Sequence, residues 1–229
     1  MSRAKRRRSA ALALGVALTM VALAGVAAAA ASTANVIEKR AVLKRADFPA
    51  GWDSSARRAP EDSGIAVCAG LDDVNRALAP LSTRSPNFTR SDTDNVLVNN
   101  AVVVLKTTKE AKGYLDPYRD PDAVRCIETL TETSLTGGGF SGVRVYVTPS
   151  DDVPPGADDA TGFDVQITVT SAATAGQPAQ TAVLYQDLVI VRIGRALANF
   201  GFLNPGKSLP ERGELVDTVV GRLQDALAR

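Results

Sequence analysis

The sequence predicts an α+β fold, a twisted antiparallel sheet packed by helices, and three observations lead there. Residues 143–148 and 163–170 alternate apolar and polar side chains, the period of a half-buried strand. Residues 102–105 are a β-branched apolar run, and residues 182–193 read as a long strand rich in Val, Leu and Ile. Near the C-terminus Leu215, Val219, Leu223 and Leu227 recur every four residues beside Val216 and Val220, an amphipathic helix with one face for a sheet. Helices early, strands in the middle and a covering helix last read as α+β.

The chain opens on Arg3, Lys5, Arg6, Arg7 and Arg8, followed by an uncharged Ala/Leu/Val-rich run to Ala31 that ends in small residues. That is the plan of a secretory signal peptide, expected over residues 1–31. An uncleaved anchor is the alternative, since about twenty apolar residues also span a bilayer. Alanine contributes little to membrane retention, and no cysteine near the end of the run offers a site for lipid. A polar flexible tether is expected over 32–40 and a single globular domain over 41–229. The product is extracytoplasmic, in the cell envelope or secreted, with no membrane span once the signal is removed and an N-terminal anchor if it is not.

Within the domain, Leu43, Phe48 and Trp52 cover a core edge around the turn at Pro49–Gly51, and residues 53–66 read as a charged loop. Asp72 to Leu78 is a short helix stopped by Pro80. Residues 82–95 are polar, with a strand fragment around Phe88, and the first strong strand covers 96–105. Thr107 and Glu110 form a capping-box pattern for a helix to Leu115. Asp120-Pro121 starts another, with Ala123, Ile127 and Leu130 near one face. Gly137–Gly139 is a flexible connection, and residues 151–159 are an acidic, Pro/Gly-rich loop. Gly176 to Pro178 make a hairpin connection and Gly194 a turn into a strand over 195–202. Ser208 and Glu211 suggest a second capping box, with Pro210 in the first turn.

The whole chain carries formal charge +1, but five of its 26 basic residues and none of its 25 acidic ones lie in 1–31. The remainder is therefore about −4. That balance argues against nucleic acid, which calls for a basic stripe. Histidine is absent, which excludes Ser-His-Asp and Cys-His hydrolases and histidine-bearing zinc or haem sites. Most acidic residues, Asp151, Asp152, Asp158 and Asp159 among them, read as solvated surface charge, and no metal site or cofactor is expected. The glycine run at 137–142 lacks the Gly-Lys-Ser/Thr ending of a phosphate loop and leads into a strand. Catalysis has no positive support, and no catalytic residue is assigned.

The only two cysteines, Cys68 and Cys126, most often form one disulfide in an exported domain. Two buried thiols are the alternative, since a metal pair would need partners that are absent.

Several patterns together, Leu43 with Asp47-Phe48-Pro49-Ala50-Gly51-Trp52, Cys68, the 102–105 strand and Cys126, resemble a family. With the 189–194 strand and the helix over 215–227, the layout is similar to exported actinobacterial proteins related to the PknH-type extracellular sensor domain. More distantly it resembles Mog1p/PsbP-like lipoprotein domains. The resemblance implies an antiparallel sheet packed by helices, with a cleft for an extracytoplasmic ligand. The chain departs from the kinase version in having no kinase, no second cysteine pair, and a leader in place of a spanning helix. The expected function is therefore a non-enzymatic sensor-like binding domain that captures a small or lipidic ligand. The alternatives are an envelope protein-interaction or scaffold protein and, behind it, a carboxylate-based envelope hydrolase. Trp52, Tyr146, Tyr185 and Arg192 are the candidate cleft residues, because amphipathic side chains on strands suit a cleft wall. Trp52 also reads as a plain core anchor. A monomer is expected.

Overall fold

The computed structural model describes residues 33–57, 64–90, 93–137, 140–170 and 180–229. The chain divides into two compact units, Met1–Val36 and Ile37–Arg229. The signal-like segment 1–31, the glycines 138–139 and the hairpin connection at 176–178 lie outside the described residues. Along the chain run helix α1 (residues 33–41), strand β1 (Trp52–Ser55), helices α2 (Gly64–Cys68) and α3 (Asp72–Leu78), and strands β2 (Thr83–Arg84), β3 (Asn87–Arg90) and β4 (Thr93–Val104). Then come helices α4 (Thr108–Leu115) and α5 (Pro121–Gly137), strands β5 (Ser141–Ser150), β6 (Asp159–Thr170), β7 (Thr181–Ile193) and β8 (Ala196–Pro205), and helix α6 (Arg212–Leu227). Among the described residues, no helix is long and apolar enough to cross a membrane.

The strands form one antiparallel sheet in the order β1-β3-β4-β8-β7-β6-β5, with β2 also beside β4. Its register decides which side chains share a face, because alternate residues of a strand point the same way. Val98, Asn100 and Val102 of β4 pair with Phe202, Phe200 and Ala198 of β8, which pair with Asp187, Val189 and Val191 of β7. On this face α6 buries Leu215, Val216, Val219, Val220 and Leu223. Each such side chain contributes roughly 1.5–3 kcal/mol when fully withdrawn from water. Phe48 extends the layer toward β1, its ring centroid 4.8 Å from that of Trp52 and 4.3 Å from that of Phe88.

The opposite face carries Val103, Leu197, Ile190, Phe163, Val165, Ile167, Val145 and Val147, packed under Ala111, Leu115 and Ile127 of α4 and α5. Thr107 caps α4 as expected, its side chain accepting the Glu110 N–H at 3.1 Å. Cys68 and Cys126 are joined in a disulfide with their Cα atoms 5.4 Å apart, which ties α2 to α5. Closing a loop of that length, 58 residues, stabilises a fold by roughly 4 kcal/mol in the chain-entropy account.

Strand β5 is an edge of the sheet, and α5 covers its free backbone. Glu132 accepts the Val145 N–H at 3.2 Å and Glu128 the Val147 N–H at 3.1 Å. Two carboxylates one helical turn apart thus occupy donors that would otherwise invite another strand.

Four expectations need correction. The segment 32–40 is no flexible tether: residues 33–41 are helical, with Ile37, Glu38 and Ala41 buried. Its polar composition misled, because the Glu38 carboxylate is used internally, accepting the Val104 N–H at 2.9 Å and the Thr83 hydroxyl at 3.0 Å. The 53–66 segment contains most of β1 and the first three residues of α2. Leu130 of α5 is exposed, while Ala123 and Ile127 are buried as expected. The second capping box does not form, because the Ser208 hydroxyl donates to Asp187 and leaves α6 without a side-chain cap.

Candidate functional site

The helices of the second face do not cover all of it. Arg84 of β2, Ala101 of β4, Asn199 of β8 and Ile190 of β7 form one cross-strand row. Asn99, Gly201 and Leu188 form the next, and Leu97, Leu203 and Gln186 the one after. Over these rows lies a cleft of about 570 Å³. Its walls are α3, through Asn75 and Leu78, and the tyrosines Tyr114 of α4 and Tyr118 of the 3-10 turn Asp116–Arg119.

Small residues keep the floor low. Ala101 and Gly201 sit in adjacent rows, and a Cβ built on Gly201 would meet the Asn99 side-chain oxygen at 3.3 Å. The Asn99 amide in turn donates to Asn87 at 3.4 Å. The floor rows contribute aliphatic side chains, Leu97, Leu188, Ile190 and Leu203, while the aromatic part of the lining includes Tyr114 and Tyr118.

The polar groups of the cleft differ in how far they are engaged. Tyr118 donates to the Tyr114 hydroxyl at 3.3 Å, and Tyr114 donates to Asn75. Burial, the neighbouring Tyr114 and its hydrogen bond together raise the Tyr118 phenol well above its ordinary value. Arg76 is paired with Asp72 and Asp73. Asn199 is different: its side-chain oxygen is buried without a hydrogen-bond partner among the described residues. Arg57, just after β1, and Arg84 also line the cleft. Arg57 donates to the Asn100 carbonyl at 3.3 Å and Arg84 to the Ala79 carbonyl at 3.2 Å.

None of the four sequence candidates lines this cleft. Trp52 is only 3% exposed and belongs to the core on the α6 face. Arg192 is held in an ion-pair network, donating to Asp158 at 3.1 Å and to the Gly194 carbonyl at 3.3 Å. Nearby Arg119 binds Asp159 at 2.6 Å and Asp151 at 3.4 Å. The Arg119 hydrogen bond, helped by the charges of Arg119 and Arg192, holds the Asp159 carboxyl below its usual range against the effect of burial. The acidic loop is thus largely neutralised by arginine, and the described residues contain no group of three or more side chains able to hold a metal.

Tyr146 and Tyr185 do share a row, both paired with Gln166 of β6, which lies between them. That row belongs to the α6 face, away from the cleft, and Tyr146 is 55% exposed there.

The cleft residues missed by sequence reasoning left a signal. Asn99, Asn199 and Gly201 interrupt apolar strands, and a polar or side-chain-free position inside such a run marks either a functional surface or a close approach. Arg57 and Arg84 left none, since both stand in segments that read as polar loop.

No protein-family model matches the chain, and no curated protein matches it in sequence. Among solved structures it is similar to the solution structure of cyanobacterial PsbP (CyanoP) from Synechocystis sp. PCC 6803, at 9% identity and a TM-score of 0.35, covering 82% of this chain and 91% of that one. A likeness that distant says nothing about what this chain does.

Proposed function

We propose that the chain is an exported, non-enzymatic, sensor-like binding domain that captures a small or lipidic ligand outside the cytoplasm. The observation that carries this reading is the cleft over β4, β8 and β7. Its volume, about 570 Å³, falls within the roughly 300–1,000 Å³ of small-molecule sites. Its make-up fits as well: an aliphatic floor and a few polar groups, one of them the unpartnered Asn199 oxygen. A disulfide suits an oxidising compartment, which agrees with the signal-like start of the sequence. On the resemblance to PknH-type sensor domains, ligand occupancy of this cleft is the event sensed.

Native mass spectrometry of the protein secreted from a high-GC bacterial host tests the reading. The expected result is a reproducible extra mass that disappears on denaturation and is reduced by Ala101→Leu, which raises the cleft floor. A clean ligand-free mass, with the disulfide intact, would sink it. That outcome would favour a protein-interaction role instead, for which the exposed Tyr146 beside Gln166 and Tyr185 offers a surface.

A further inference from the structure

Two cations in the cleft have only backbone carbonyls as partners among the described residues, as Arg45 and Arg195 do elsewhere in the fold. Arg76, Arg119, Arg125, Arg192, Arg212 and Arg222 each have a carboxylate partner. Arg57 and Arg84 have none among the described residues, only the carbonyls of Asn100 and Ala79. Both are partly buried and both line the cleft. They are near enough to repel: burial first, and then the charge of Arg84, depress the Arg57 guanidinium below its ordinary value. Two like charges partly withdrawn from water are unfavourable unless an anion joins them.

We infer that Arg57 and Arg84 clamp the anionic head, carboxylate or phosphate, of an amphipathic ligand whose apolar chain lies along Leu188, Leu97 and Leu203. The inference rests on the ligand-capture reading and specifies its chemistry. Planar guanidinium forks match the paired oxygens of such heads. Arg84 shares its row with Asn199, whose side-chain oxygen has no partner among the described residues and can accept from a ligand hydroxyl beside the anionic head. From the Ala101–Asn199 row to the Leu97–Leu203 row is four residues along the strands, about 14 Å at ~3.4 Å per residue. The head end therefore carries the two cations, and the far end is aliphatic apart from Gln186.

Binding of cis-parinaric acid, followed by its fluorescence, tests the clamp against the uncharged methyl ester of the same chain. The acid is expected to bind saturably and to weaken at least tenfold in Arg57→Gln/Arg84→Gln, while the ester binds wild type and variant alike. Arg57→Lys/Arg84→Lys, which keeps the charge and loses the fork, is expected to fall between the two. That variant keeps the test alive if the glutamine pair misfolds. Competition by inorganic phosphate, lost in the glutamine variant, would support the clamp and assign it to a free anion. Its failure to compete, with the acid still arginine-dependent, would assign the clamp to a lipid head. Acid and ester binding equally well, whatever stands at 57 and 84, would overturn the clamp and leave the capture reading intact. No binding of acid, ester or phosphate would overturn both.

Discussion

The two faces of the sheet are built from the same strands and finished in opposite ways. On the α6 face, Phe200, Phe202, Val189 and Val191 meet a continuous stripe of α6. Of the buried polar groups there, Asn100 Nδ2 and Asp187 Oδ1 lack a partner among the described residues, while Asp47 is fully engaged. Asp47 accepts two hydrogen bonds from Arg222 and one from the Lys44 N–H. On the other face the helices pack densely over β5 and β6 and then leave β4, β8 and β7 partly open, with small or polar residues at Ala101, Gly201, Asn99 and Asn199. Neighbouring residues of β8 thus serve a sealed core and an open floor in alternation. One face is sealed by α6 over β4, β8 and β7, and the other is sealed over β5 and β6 but open over those three strands.

Truncation on either side of that division gives the largest expected effect. Phe200 is 1% exposed, and Phe200→Ala is expected to destabilise the protein by about 3–5 kcal/mol. Leu188 lines the cleft and is only partly buried, so Leu188→Ala is expected to cost roughly 1–2 kcal/mol. Urea unfolding of both variants measures the gap. Equal losses would mean that the cleft floor is as fully packed as the core.

The strength of the α6 face also depends on pH through two carboxylates with opposite signs. Burial works to raise the Asp47 carboxyl, but the Arg222 hydrogen bonds, the Lys44 N–H and the charges of Arg222 and Lys44 outweigh it and hold it below the ordinary 3.8. Asp47 therefore contributes stability that is fully present above about pH 4 and lost as the pH falls through its lowered value. Burial dominates at Glu38 and raises its carboxyl above the ordinary 4.5, against the hydrogen bonds from Val104 and Thr83. Glu38 takes up its proton earlier in the folded state, so its contribution grows as the pH falls from that raised value toward 4.5. Asp47→Asn is expected to cost roughly 1–3 kcal/mol at neutral pH and to flatten the loss of stability below pH 4. Thermal melts of wild type and variant from pH 7 to pH 3 read this directly. Parallel curves would remove Asp47 from the account.

Much of this division could be read from the sequence wherever one period governed a segment. The α6 stripe, the alternation of β5 and β6, and the capping box at Thr107 all fold as their spacing predicts. Failures came where tertiary bonding decides. β1 and α2 sit in a charged stretch with no period, and Glu38 reads as solvent-facing until the backbone of β4 is placed beside it. The disulfide followed from a single cysteine pair in a chain that opens on an export-signal pattern. The cleft did not, because Arg57 and Arg84 are brought to it by pairings between β1, β2, β3 and β4 that no local pattern encodes. Of the amphipathic strand residues chosen as cleft walls, Trp52 stands in a core and Arg192 in an ion-pair network.

The smallest expected effect on stability lies at the sheet edge. Glu128 and Glu132 occupy the outward N–H groups of Val147 and Val145. Their truncation, Glu128→Ala/Glu132→Ala, exposes two backbone donors to water, which rehydrates them, so folding should weaken by only about 1 kcal/mol. The larger consequence concerns association, because an exposed edge with free donors is a template for another strand. Sedimentation velocity over a range of concentrations is expected to show the variant self-associating while the wild type stays monomeric. A variant that stays monomeric would mean that the body of α5, not its two carboxylates, shields the edge. The sealed α6 face should be indifferent to this change, so the Asp47-dependent acid transition should persist in the edge variant.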